Sequence, residues 1–278
     1  MYKKIDLYNN ISSQASKLVE MASRVKKNSY KTKLITITSG KGGVGKSTIT
    51  SNLALLLSQK DYKVAVLDAD IGLANMQVLF DVKPQYSFFD YIEGKISLKE
   101  TITKTPYNNI SLFAGVSSSS YSSFKNSFVF SNFIDDILAL NSFDFLLVDT
   151  GAGLNDYVKE FLAISDNILA ITSMDPSALT DVYALMKMLS LNKSKLMLCF
   201  NHTKTYQSGE NISNSLISLA KKNSLKSDFM VKYLGNISSC SNIATTSRLR
   251  RVFANEFKND EITLQMELVL RNLLLNIE

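Results

Sequence analysis

The residues with the most evident chemistry are SGKGGVGKST, 39–48. Gly40, Gly45, Lys46 and Ser47 fit G-x-x-x-x-G-K-[ST], between a β-branched run (34–39) and an apolar helical stretch (50–60). Gly40, Gly42, Gly43 and Gly45 let the backbone amides, through Val44 and on to Thr48, curl around phosphate oxygens with no Cβ in the way. The helix that follows turns the positive end of its dipole toward the same anion. Lys46 is placed to reach the β- and γ-phosphates, and the Ser47 hydroxyl to ligate Mg²⁺. Three carboxylates complete the set. LDADIGLAN (67–75) carries Asp68 and Asp70, and LLVDTGAGL (146–154) carries Asp149. A carboxylate at the carboxyl end of a parallel strand sits at the phosphate-binding edge of the sheet. Asp149 is expected to hold Mg²⁺ through water, with Asp68 assisting, and Asp70 to orient an attacking water. The chemistry is nucleotide binding and hydrolysis.

These residues need strands to carry them to one edge. LITITS (34–39), KVAVLD (63–68), ISLFAG (110–115), DFLLVD (144–149), NILAIT (167–172) and KLMLCFN (195–201) read as strands. Helical stretches lie near 127–140, 153–164, 177–190 and 210–223. Several strands are apolar throughout, as required when helices cover both sheet faces. The alternation predicts an α/β fold, a doubly wound, mostly parallel sheet flanked by helices. SSSSYSS (117–123) reads as a loop.

The chain has 278 residues, 45% hydrophobic and 20% charged, which excludes wholesale disorder, collagen and a polytopic membrane protein. The opening MYKKIDLYNN has no apolar stretch behind its lysines, so a cytoplasmic chain is expected. Two cysteines, Cys199 and Cys240, form no Cys-x-x-Cys pair, and His202 is the single histidine. That excludes a zinc ribbon and a cysteine-ligated cluster within one chain. Residues 1–33 hold eight basic and two acidic side chains, so the whole net charge of +6 sits there. Ile11, Ala15, Leu18 and Val19 give this arm a short amphipathic face. Three parts follow: a basic arm (1–33), a nucleotide-binding domain (34–260) and a terminal amphipathic helix (261–278).

Lys41 makes the loop KGGVGKS, which resembles the deviant phosphate loop of the MinD/ParA branch of P-loop ATPases. The resemblance runs from residue 34 to about 255. It implies ATP with Mg²⁺, slow hydrolysis, and an ATP-dependent homodimer in which Lys41 reaches the nucleotide of the other subunit. It implies that Asn201 reads the adenine edge. His202 has no visible partner in the sequence and reads as incidental. VKYLGNISS (231–239) resembles the family's last strand and purine loop, with Ser238 and Cys240 where Pro and Asp are usual. GLAN (72–75) and DPSALTDVYALMK (175–187), through Pro176, Thr180, Asp181, Tyr183 and Ala184, resemble the flagellar-number ATPases of the FlhG or FleN type. SQASKLV (13–19) keeps Gln14, Ala15 and Leu18 of that group's leading element, with Ser13 and Val19 in place of Asp and Arg.

That subgroup implies control of flagellar number and placement, with an FlhF-type GTPase and flagellar basal-body switch proteins as partners. The alternative is a ParA-type partition ATPase on nonspecific DNA. The neutral body argues against it and the basic arm keeps it open; nucleic acid is not the expected partner. A tyrosine kinase on a similar loop would carry tyrosines at its C-terminus, and the last one here is Tyr233. In 262–278, Ile262, Met266, Val269, Leu270, Leu273 and Ile277 share one helical face. The resemblance implies that this face meets the inner surface of the cell membrane. Packing on the domain is the alternative.

Overall fold

The computed structural model describes residues 30–115, 129–204, 206–222, 226 and 228–277. The amphipathic face of residues 11–19 and the serine-rich stretch 117–123 lie outside them.

Eight strands form one sheet: β1 (Lys33–Ser39), β2 (Val64–Ala69), β3 (Ile102–Lys104), β4 (Ile110–Phe113), β5 (Phe145–Ala152), β6 (Asn167–Thr172), β7 (Lys195–Thr203) and β8 (Met230–Ser238). Their order is β3-β4-β2-β5-β1-β6-β7-β8. All neighbours are parallel except the edge strand β3, which runs antiparallel to β4. β1 lies between β5 and β6, where the winding changes direction, so the crevice beyond its carboxyl end is the natural ligand site.

The helices are α1 (Lys46–Ser58), α2 (Met76–Leu79), α3 (Phe88–Ile92), α4 (Val129–Ala139), α5 (Asp156–Ile164), α6 (Pro176–Leu189), α7 (Tyr206–Lys222), α8 (Ser241–Arg248), α9 (Phe253–Glu256) and α10 (Glu261–Leu274). Strand alternation assigns them to two layers. Ile35 and Ile37, Val64 and Val66, and Phe145 and Leu147 pack with α1 and α10 on one face. Leu34, Ala65, Leu67, Leu146 and Val148 pack with Phe130, Phe133, Ile134 and Ile137 of α4 on the other. The same opposite face continues under α6 and α7 through Ile168, Ala170, Val182, Leu185 and Leu216.

The short β3, α2, α3, α8 and α9 have too few residues for a periodic signal and are absent from the sequence reading. α1 starts at Lys46 rather than residue 50, because Gly45 at φ 87 turns the loop directly into the helix. β5 runs three residues past Asp149, so Gly151 belongs to the strand.

One expectation is corrected. Ile262, Met266, Val269, Leu270 and Leu273, the stripe expected at a membrane, are buried in the core. Asp260 caps α10 by accepting the amide of Ile262 at 2.8 Å. Asn272 Nδ2 donates to the Leu234 carbonyl of β8 at 2.7 Å. Full burial of an aliphatic side chain stabilises by about 1.5–3 kcal/mol, so five of them fix α10 to the domain. α10 begins at Glu261, the expected start of the terminal helix, and packs on the domain. The exposed apolar residues of the segment are Leu264, Leu268 and Leu275.

Candidate nucleotide site

The loop between β1 and α1 is shaped by contacts on both sides. A Cβ at Gly40 would come within 2.5 Å of Asp181 Cβ and 2.7 Å of its carbonyl carbon, so the loop presses against α6. Gly45, in the left-handed region, faces the amide of Asn201. It occupies the N-cap of α1 and offers no side-chain cap. The first amides of a 13-residue helix are thus left to whatever anion enters the loop.

Asp68 and Asp149 stand opposite each other in the β2–β5 register. They continue the face of Val66 and Leu147, the face that α1 covers. Lys46 Nζ donates to Asp149 Oδ1 at 2.9 Å, with its side chain 7% exposed and that of Asp149 fully buried. Ser47 Oγ donates to Asp149 Oδ2 at 2.6 Å, and Thr50 Oγ1 to Oδ1 at 3.0 Å. The lysine and hydroxyl expected to serve a nucleotide and its metal therefore share one carboxylate.

Asp68 is adjacent but otherwise engaged. Its Oδ2 accepts the amides of Asn75 at 2.9 Å and Met76 at 2.8 Å, and its Oδ1 that of Asp70 at 3.3 Å. The side chain expected to assist at the metal anchors the 70–76 loop. Burial, and next the Asp149 carboxylate, push its pKa up to about 7 against the pull of these amides and of Lys46. Asp70 is half-buried, with its carboxylate against Gly151 of β5. Its pKa is raised by burial, opposed by Lys46 and reinforced by Asp149.

Lys41 is half-exposed beside the loop. Its Nζ donates to Ser177 Oγ at 2.6 Å and lies 3.3 Å from Asp175 Oδ2. Asp175 is the N-cap of α6, accepting from the Ser177 amide at 2.9 Å and its hydroxyl at 2.6 Å. The Ser177 bonds, helped by Lys41, hold the Asp175 pKa down to about 2. Sequence reasoning missed both partners; only the helix-capping pattern Asp-Pro-Ser hinted at them.

Asn201 Nδ2 donates to the Val44 carbonyl at 2.8 Å, which ties β7 to the phosphate loop. Its Oδ1 is buried without a partner, as are Thr38 Oγ1 and Ser39 Oγ at the end of β1. These orphaned buried atoms near the phosphate loop are available to a polar ligand. Asn201 therefore keeps an unpaired Oδ1 for a ligand, with one amide proton held by Val44. Gly40, Gly42, Gly43, Val44, Gly45, Lys46, Ser47 and Thr48 form the loop, and Asp68, Asp70, Asp149 and Asn201 converge around it. No described cluster of His, Cys, Asp and Glu forms a ready-made metal cage. That fits Mg²⁺, which is held by few protein oxygens together with phosphate and water.

A parallel sheet with a glycine-rich loop at its switch point, a buried lysine and a strand-end carboxylate defines a P-loop nucleotide hydrolase. The family described as ParA, NUBPL iron-transfer P-loop NTPase, matches residues 31–274. The chain belongs to this ParA/MinD family and is an ATPase of the P-loop type. It is 38% identical over 234 residues to the flagellum site-determining protein YlxH of Helicobacter pylori, covering 84% of this chain and 79% of the relative. It is 29% identical over 241 residues to the antiactivator FleN of Pseudomonas aeruginosa, covering 85% and 84%. The cell division ATPase MinD of Pyrococcus furiosus shares the fold, with TM-score 0.73, 21% identity and coverage of 86% and 97%. MinD of Pyrococcus horikoshii, solved with Mg-ADP, has TM-score 0.73 and 20% identity, covering 86% and 94%. Among the described residues no helix is long and apolar enough to cross a membrane.

Proposed function

We propose that this chain is a Mg²⁺-dependent, ATP-driven dimerisation switch acting in flagellar number and placement. The observation that supports the switch is the gathering of Lys41, Lys46, Asp70, Asp149 and the orphaned Asn201 Oδ1 around one loop. Lys46 and the loop amides hold the β- and γ-phosphates. Ser47 and, through water, Asp149 hold Mg²⁺, which when bound neutralises charge on the phosphates. Asp70 orients the attacking water and accepts its proton; a raised pKa strengthens it as a base. Asn201 Oδ1 accepts from the adenine amino group. Lys41 leaves Ser177 and Asp175 to reach the nucleotide of a second copy.

Likeness to a flagellum site-determining protein and to an antiactivator of the FleN type supports the flagellar assignment. An FlhF-type GTPase and basal-body switch proteins are the partners this reading names. The protein works in the cytoplasm and meets the inner face of the membrane. Leu264, Leu268 and Leu275 are the residues of the last segment free to make that contact, since the apolar stripe is buried.

The test is sizing by light scattering with Mg-ADP, with Mg-ATP, and with Mg-ATP on Asp70→Ala. Dimer with ATP, trapped by Asp70→Ala, and monomer with ADP is the expected pattern. A monomer throughout refutes the switch. Binding of random DNA at low salt, lost steeply as salt rises, would transfer the protein to the partition reading.

A further inference from the structure

The β7–β8 register shifts between Phe200 and Thr203, the stretch that holds Asn201 and His202. His202 sits at φ 58, in the left-handed region, and is exposed. Left-handed non-glycine residues and strand irregularities concentrate at functional sites, where they re-aim a side chain. Here the irregularity brings the imidazole to the phosphate loop: His202 Nε2 would lie 3.7 Å from a Cβ on Gly45. It also lies 3.4 Å from Asn201 Nδ2.

The primary amide of Asn201 has two N–H donors and one oxygen. One donor is held by the Val44 carbonyl. The second faces His202 Nε2, and Oδ1 has no partner. With its proton on Nδ1, the imidazole accepts at Nε2. Both donors are then consumed, and the only group left for a base is an acceptor.

We infer that His202 is a base-selectivity residue: it occupies the second amide proton of Asn201, so that the site accepts a 6-amino purine and rejects a 6-oxo purine. The inference rests on the reading of Asn201 as the base contact. A 6-oxo group presents an acceptor to an acceptor, with no donor in reach. Without the imidazole that N–H is unpaired, and the planar amide can rotate as a whole to set an N–H against the oxo group. His202 thus acts through Asn201 as a positioning residue, and its loss is felt as gained binding of the wrong base.

The experiment compares equilibrium binding of Mg-ADP and Mg-IDP to the full chain, which avoids turnover. The variants are Asn201→Ala, His202→Gly and His202→Gln. Glycine suits the left-handed position, and glutamine retains an acceptor. ADP binding by a variant shows that it is folded. His202→Gly is expected to narrow the ADP-to-IDP preference roughly tenfold, the worth of one hydrogen bond, through tighter IDP binding. His202→Gln is expected to restore most of it, and Asn201→Ala to abolish it. A wild-type preference in His202→Gly, or no recovery in His202→Gln, overturns the role of His202 while leaving the Asn201 contact standing. A wild-type preference in Asn201→Ala overturns the base contact itself.

Discussion

Lys46 and Asp149 form a buried ion pair, 2.9 Å between Nζ and Oδ1, at the centre of the site. Ser47 and Thr50 donate to the same carboxylate at 2.6 and 3.0 Å. Three donors satisfy Asp149 where water is excluded, so the pair holds the loop against β5. It also sets what a ligand must exchange: phosphate oxygens for Asp149 on Lys46, and a cation for the Ser47 proton.

Breaking this pair from one side leaves a buried charge alone. Lys46→Met or Asp149→Ala is expected to cost about 3–5 kcal/mol of unfolding free energy. The double variant is expected to cost clearly less than the sum, since neither charge is then stranded. Urea unfolding of the four proteins measures the cycle, and additive losses would show that the pair contributes no coupling.

Asp70→Ala is expected to slow ATP hydrolysis by about 10²–10⁴-fold, the usual worth of a positioned base, with nucleotide affinity little changed. Single-turnover kinetics at saturating nucleotide reads the chemical step directly. Retained turnover would assign the water to another group.

The Lys41 contact with Asp175 and Ser177 competes with any contact to a second subunit. Asp175→Ala should lower the ATP concentration needed for dimerisation, while losing about 1 kcal/mol of stability with the α6 cap. Titrating ATP against particle mass separates the two effects. A raised ATP requirement would mean that the α6 contact supports the dimer instead.

Asp68 gives stability a definite pH sign. Its pKa is about 7 in the folded chain against an ordinary 3.8. Between those values the folded state holds a proton that the unfolded chain lacks, so its contribution falls as pH rises through that window. Asp68→Asn removes the titration. The melting temperature of the wild type relative to this variant should therefore be higher at pH 5 than at pH 8. The opposite slope would show that the three amides, rather than burial, decide its charge.

Removing 262–278 is expected to unfold the domain, because Met266, Val269, Leu270 and Leu273 are fully buried against β8 and α1. Leu273→Ala alone should cost about 2–5 kcal/mol. Leu264→Ser with Leu268→Ser should leave stability within about 0.5 kcal/mol, as surface changes usually do. Thermal melts distinguish the two faces, and the surface pair is the variant to use in liposome sedimentation.

The parallel sheet and its loop were legible because their signals are local. Apolar runs such as NILAIT declare strands covered on both faces, and glycine spacing declares a phosphate loop. Asp70 and Asp149 were legible as strand-end carboxylates. Contacts between distant segments were not. The bond from Asn201 to Val44 spans 157 positions and that from Lys41 to Ser177 spans 136, and neither leaves a periodic trace. The stripe on α10 shows a similar limit: helical period tells which face is apolar, not whether lipid or β8 covers it. His202 reads as incidental in the sequence, because the φ of 58 that places it beside the loop is not announced by the residue type.

In the proposed switch, Lys41 serves the nucleotide of the other subunit while Asp70 serves its own. Mixing Lys41→Ala with Asp70→Ala tests this most directly. In the mixed dimer, the site of the Lys41→Ala subunit keeps Asp70 and receives Lys41 from its partner. Two inactive proteins should therefore regain ATP hydrolysis on mixing, with dimers confirmed by light scattering. Mixed dimers as inactive as either parent would mean that Lys41 does not act across the interface.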